Sequence, residues 1–175
     1  LKSMVVTVPS ANRITINPPP PIFPAPGCTI AKAKPVAIAA SMAFPPSFKT
    51  SSTVSDKVQA IVNIDGITSF IHPDAEESEI AGKWLGGLRN ENPTNWKSAS
   101  PLEYVGGNTP PILFVNSAQP RFHAGRDDMI LKLDEYNIYA EVHTLPDSPH
   151  SFWLMNPWFQ PTLKYTLDFL KKTLK

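Results

Sequence analysis

The sequence predicts an α/β domain built on a parallel sheet, and three features predict it. Two apolar runs, residues 58–64 (VQAIVNI) and 110–116 (PPILFVN), carry aliphatic and β-branched side chains in near-continuous order, as strands buried on both faces do. Stretches with helical periodicity of about 10 to 15 residues separate the strand-like runs, the signature of βαβ units. Ten of the 20 prolines precede residue 50, and the first acidic residue is Asp56, so the composition changes there. This sets a boundary between a Pro-rich N-terminal segment, residues 1–50, and an α/β unit, residues 51–175.

Residues 1–50 hold three short β-like runs at 4–8, 13–16 and 36–40, joined by Pro-rich connectors. Residues 17–24 (NPPPPIFP) read as polyproline II, because each proline ring fixes φ and removes a donor. A linker or extended arm is the simplest role, and a Pro-rich ligand for an aromatic groove is the alternative.

After the strand at 58–64, which Asp65-Gly66 terminates, residues 73–87 predict a helix. Asp74 is placed to cap it, Glu76, Glu77 and Glu79 favour its first turns, and Gly86-Gly87 ends it. Residues 90–100 are a polar connection carrying Trp96. The strand at 110–116 leads into a loop at 117–126 and an amphipathic helix at 127–136, with Met129, Ile130 and Leu133 on one face. Residues 139–144 alternate as a third strand. A loop with Pro146, Pro149 and His150 follows, and residues 161–174 close the chain as a helix with lysines near its end.

Composition excludes several classes. A net charge of +1 provides no field to recruit nucleic acid or an anionic membrane. No apolar run approaches the roughly 18 residues of a membrane helix. The single Cys28 forbids an internal disulfide. No two histidines have zinc-site spacing, so neither a metal nor a cofactor is expected.

Four phrases then occur in a telling order: Ala99-Ser-Pro-Leu-Glu-Tyr-Val105, Pro110-Pro-Ile-Leu-Phe-Val115, Ala140-Glu-Val-His-Thr-Leu145 and Ser148-Pro-His150-Ser-Phe152. Together they resemble the C-terminal half of α/β-hydrolase superfamily esterases, over about residues 52–175. The branch most similar deacylates plant polysaccharides, the acetyl xylan and feruloyl esterase relatives. The resemblance implies a partial α/β-hydrolase fold, with a parallel sheet flanked by helices. It also implies a carboxylic-ester hydrolase that deacylates an acylated saccharide or small ester through a serine acyl-enzyme, secreted or periplasmic if like the family. The start, Leu1-Lys2-Ser3-Met4, shows no signal peptide.

That chemistry needs a serine activated by a histidine, itself oriented by a carboxylate. His150 fits the base, since it follows a strand by a short loop, precedes the last helix and is flanked by Ser151-Phe152. His143 lies within a strand, and His72 and His123 lie in loops. For the acid, the resemblance points to the loop after 110–116, whose only carboxylates are Asp127 and Asp128. Asp127 is slightly favoured, although an Asp there also suits a helix start. Asp65, at the carboxyl end of the earlier strand, is the next candidate, because α/β sites assemble at such ends.

The nucleophile is the missing part. No Gly-x-Ser-x-Gly turn is present. The nearest text is Ala39-Ala-Ser41-Met-Ala43, with Pro45 and Pro46 where a supporting helix should run, so Ser41 is not expected to behave as an activated nucleophile. Gly27-Cys28-Thr29 echoes the pattern more faintly. The absent turn sustains a second reading: a catalytically impaired hydrolase-like module that binds carbohydrate or a protein partner. The edge of the strand at 58–64 needs cover, from residues 36–40 or, preferentially, from another copy in a homo-oligomer.

Overall fold

The computed structural model describes residues 57–76 and 79–174. Three strands form one sheet, β1 (Ile61–Ile64), β2 (Ile112–Asn116) and β3 (Ala140–Thr144), in the order β1-β2-β3 and all parallel. Ile61 stands beside Ile112, and Val115 beside His143, so the three carboxyl ends lie side by side. Among the described residues the α-helices are α1 (Glu79–Leu85), α2 (Pro93–Ala99), α3 (Arg126–Glu135) and α4 (Phe159–Thr173).

Alternation along the buried strands divides the core between two faces. Ile61, Ile112 and Phe114 pack with Met129 and Leu133 of α3. Val62, Leu113 and Val115 face the other way, against Phe152 and against Phe169 of α4. A third cluster, in which Trp96 and Phe70 meet edge to face with centroids 6.4 Å apart, joins α1 and α2 to the loop after β1. Helix α1 stops where expected: Gly86 and Gly87 take positive φ, and the Gly87 N–H donates to the Gly82 carbonyl at 2.8 Å.

Several expectations need correction. The helix expected over 73–87 is confined to α1, so Asp74 lies too far upstream to cap it, and its N–H donates instead to His72 Nδ1. The connection expected over 90–100 contains α2, which Pro93 opens and whose Trp96 indole donates to the Gly87 carbonyl at 3.0 Å. The closing helix begins two residues early, at Phe159. Residues 1–50, with Ser41, Cys28 and the strand-like run at 36–40, lie outside the described residues. Among the described residues, no helix is long and apolar enough to cross a membrane.

Candidate active site

β1 ends in a tight turn that the sequence Asn63-Ile-Asp65-Gly66 builds for itself. The Asn63 side-chain oxygen accepts the Gly66 N–H at 2.7 Å, and its amide donates to the Gly66 carbonyl at 3.0 Å. A Cβ on Gly66 would meet that same oxygen at 2.7 Å, so the clasp needs glycine. Within it Asp65 adopts φ 51°, a left-handed conformation that Asp tolerates better than most residues. Its N–H still donates to the Val115 carbonyl at 2.9 Å, so the turn stays anchored to β2.

Asp65 is buried, and a buried carboxylate must be hydrogen-bonded. Oδ1 accepts the Ser117 N–H at 2.8 Å, and Oδ2 accepts His150 Nδ1 at 2.7 Å. The three strand ends thus meet in one constellation: the acid follows β1, a backbone donor follows β2, and the histidine lies in the loop after β3. With Nδ1–H assigned to Asp65, Nε2 is the ring nitrogen left free to take a proton, and it has no hydrogen-bond partner among the described residues.

The histidine loop is held from both sides. The Ser148 hydroxyl donates to the Leu145 carbonyl at 2.8 Å, the Leu145 N–H to Asn116 at 2.9 Å, and the Ala118 N–H to Ser148 at 3.3 Å. Phe152, fully buried, pins the loop's far end in the core. Ser151 between them takes φ 74°, so both members of the pair sit at or beside a strained residue. The imidazole stacks on Phe122, centroids 3.7 Å apart and planes 13° from parallel, and meets Trp153 edge to face at 5.3 Å.

The sequence-derived acids separate here. Asp127, the slightly favoured one, is exposed in the first turn of α3, where its Oδ1 accepts Arg126 Nε at 2.7 Å. That bond holds its carboxyl below the usual range. Asp128 reaches His72 at 3.7 Å. Neither is paired with His150, because α3 opens toward solvent while the β1 turn aims Asp65 at the histidine. Of the three carboxylates, Asp65 is the one in contact with His150. The nucleophile candidate Ser41 is outside the described residues.

The other histidines have separate surroundings. His143 lies 2.7 Å from Glu141 and stacks flat on Tyr165 of α4, which ties the helix to β3. His123 is half-buried, and burial, reinforced by the Arg126 guanidinium, lowers its pKa, with Asp65 pulling weakly the other way. Arg126 also donates to Asn116 Oδ1 at 2.9 Å, while Asn116 Nδ2, buried at the end of β2, is without a partner among the described residues. Among the described residues no three His, Cys, Asp or Glu side chains gather as metal ligands.

Comparison with solved structures places the parallel sheet in a known fold. The chain is similar to the acylaminoacyl peptidase of Pyrococcus horikoshii, with 21% identity and a TM-score of 0.52, over 71% of this chain and 22% of that one. It is also similar to the thermophilic esterase Est2 of Thermogutta terrifontis, with 17% identity and a TM-score of 0.51, over 78% of this chain and 51% of that one. A sugar hydrolase of Lactococcus lactis matches with 16% identity and a TM-score of 0.51, over 67% of this chain and 49% of the other. The fold is thus a partial α/β-hydrolase fold, and the chain spans between about a fifth and a half of the length of these relatives.

In sequence, the BD-FAE family model matches residues 40–123, a stretch that includes Ser41 and Asp65 and stops short of His150. The matched stretch is a little under half of the 175 residues. No curated protein matches the chain.

Proposed function

We propose that this chain carries the acid–base half of a serine-type carboxylic-ester hydrolase, with His150 as general base and Asp65 as its orienting acid. The observation that carries the reading is the 2.7 Å contact between His150 Nδ1 and the buried Asp65 carboxylate. In this arrangement Nε2 takes the proton of a serine hydroxyl as its oxygen attacks the ester carbonyl. The same nitrogen returns the proton to the departing alcohol, leaving an acyl-enzyme. Water then attacks the acyl group by the same relay, releasing the acid and restoring the serine. Asp65 keeps the imidazole in the required tautomer and stabilises the imidazolium without itself being protonated.

The substrate class proposed is an acylated saccharide or small ester. Its support is the order of the four sequence phrases, the BD-FAE match and the aromatic side chain of Trp153 beside His150, which suits a sugar or aryl acyl face. The proposed nucleophile is a serine, for which Ser41 is the nearest text, inside the matched stretch. The second reading, a module that binds but does not hydrolyse, keeps its support from the absence of Gly-x-Ser-x-Gly. Hydrolysis of a chromogenic acetate and of acetylated xylo-oligosaccharides by the full chain separates the two. Release of acetate from both supports the first, and saturable oligosaccharide binding without release supports the second.

A further inference from the structure

The imidazole of His150 has two rotational freedoms, and a single hydrogen bond through Nδ1 does not fix both. A ring can tilt about the axis of that bond and still keep it, while Nε2 sweeps away from the line a serine hydroxyl must take. Something must hold the plane. Three observations identify what does. Phe122 lies almost parallel to the imidazole at 3.7 Å and 13°, which is van der Waals contact over a whole face. Trp153 presents an edge-to-face contact at 5.3 Å and 85°. The Arg121 guanidinium carbon stands 4.5 Å from the Phe122 ring centroid, and its Nη1 lies 3.9 Å from Glu76.

Phe122 is itself placed by backbone. It belongs to the 3-10 turn Pro120–His123, which Pro120 opens, and its N–H donates to the Gln119 carbonyl at 3.2 Å. The residue after that turn, Ala124, gives its carbonyl to Thr68 N–H, Ser69 N–H and the Thr68 hydroxyl at 3.0, 3.1 and 3.0 Å. The Phe122 turn is thereby fastened to the loop after β1, the loop that follows Asp65. The acid and the stacking ring are thereby joined through backbone hydrogen bonds, and the histidine contacts both.

We infer that Phe122 is a positioning residue: its ring fixes the plane of the His150 imidazole, so that Nδ1 stays on Asp65 and Nε2 stays aimed at the reacting hydroxyl. This rests on the catalytic reading of His150 and deepens it. Phe122 touches no reacting atom in this scheme, and it acts only through the histidine. Misplacement of a reacting group by about 1 Å costs on the order of 100-fold in rate. A ring free to tilt should therefore lose turnover without losing substrate affinity.

The test uses the full chain and three variants: Phe122→Leu, which keeps bulk but removes the flat face, Phe122→Tyr, which keeps the face, and Trp153→Leu as a comparison at the edge contact. One readout needs no activity. In 15N-labelled protein the Nδ1–H proton of His150, bonded to the buried Asp65 carboxylate, should give a downfield resonance in the wild type. It should persist in Phe122→Tyr and broaden or vanish in Phe122→Leu while the backbone spectrum stays folded. The second readout is kinetic. In Phe122→Leu, kcat should fall roughly 10- to 100-fold with KM within about twofold, and Phe122→Tyr should restore it. Retention of the downfield proton in Phe122→Leu overturns the inference, as does a loss confined to KM. If the wild type hydrolyses no ester but the proton responds as stated, the positioning stands and the hydrolase reading fails. If Phe122→Leu unfolds, Phe122→Tyr against Trp153→Leu decides: an intact proton in the first and a lost one in the second would assign the role to Trp153 instead.

Discussion

Asp65 couples a local turn to a long-range contact, and each half has its own consequence. Replacing it by Asn keeps the shape and one acceptor but lets the amide nitrogen face His150 Nδ1, which favours the wrong tautomer. Asp65→Asn should lower kcat by roughly 10³- to 10⁴-fold, whereas Asp127→Asn should change it little, because Asp127 is tied to Arg126 on the surface. Steady-state kinetics on matched preparations check both. His123 supplies a second test. Its folded-state pKa lies below the usual 6.5, so the unfolded chain takes up a proton first as pH falls. Stability contributed by the neutral ring is therefore complete above 6.5 and declines as pH drops through that value toward the folded pKa. Urea unfolding from pH 7.5 to 5 should show a shallower decline in His123→Gln than in the wild type. Asp127 and Glu141, whose carboxyls are held low, act only in a more acidic window. At this scale the histidine loop was legible, because a strand, a short Pro-containing loop and a final helix bracket His150. The carboxylate that contacts it was harder to read. Asp65 carries no mark except the Gly66 beside it, and 85 residues separate it from His150. Asp127, nearer in sequence, is slightly favoured by the resemblance, but α3 places it on the surface beside Arg126. Phe122 carried no signal, since stacking depends on how two loops converge.

Among the elements, the strands were the most legible, because a run buried on both faces must be apolar throughout and can hide no alternative. The helices at the periphery were less so. α2 opens Pro-Thr-Asn, which scores as a connection, and it is held by Trp96 and the side chains of Asn92 and Asn95 bonding to Leu85 rather than by propensity. The loops after β1 and β2 depend on Gly125, which has φ 78° and lies so close to Ser69 that an added Cβ would sit 2.5 Å from its side chain. Gly125→Ala should cost about 2 kcal/mol or more, from the left-handed conformation and the clash together. It should also part the two loops, so activity should fall further than stability alone accounts for. Thermal melts and kinetics at a temperature well below Tm distinguish the two effects.

At the level of the whole molecule, the described residues form a partial α/β-hydrolase fold that brings the Asp65 carboxylate and the His150 imidazole together. Three strand ends supply it, so the pair depends on the sheet as a unit. Phe169, buried on the α4 face, anchors the helix that closes this side, and Phe169→Ala should destabilise the chain by about 3–5 kcal/mol. The exposed stripe Phe159, Leu163 and Leu167 on α4 is a surface where association would register. Light scattering at low micromolar concentration should report a species larger than the 19.3 kDa chain, and a clean monomer would contradict self-association. The central claim, that Asp65 and His150 serve a serine nucleophile, is tested most directly by covalent labelling. The full chain is treated with a serine-directed fluorophosphonate, and the adduct is mapped by mass spectrometry in the wild type, Asp65→Asn and His150→Gln. The account predicts stoichiometric labelling of one serine in the wild type, slowed at least 100-fold in both variants. No adduct in the wild type, or labelling that proceeds equally fast without His150, would contradict it.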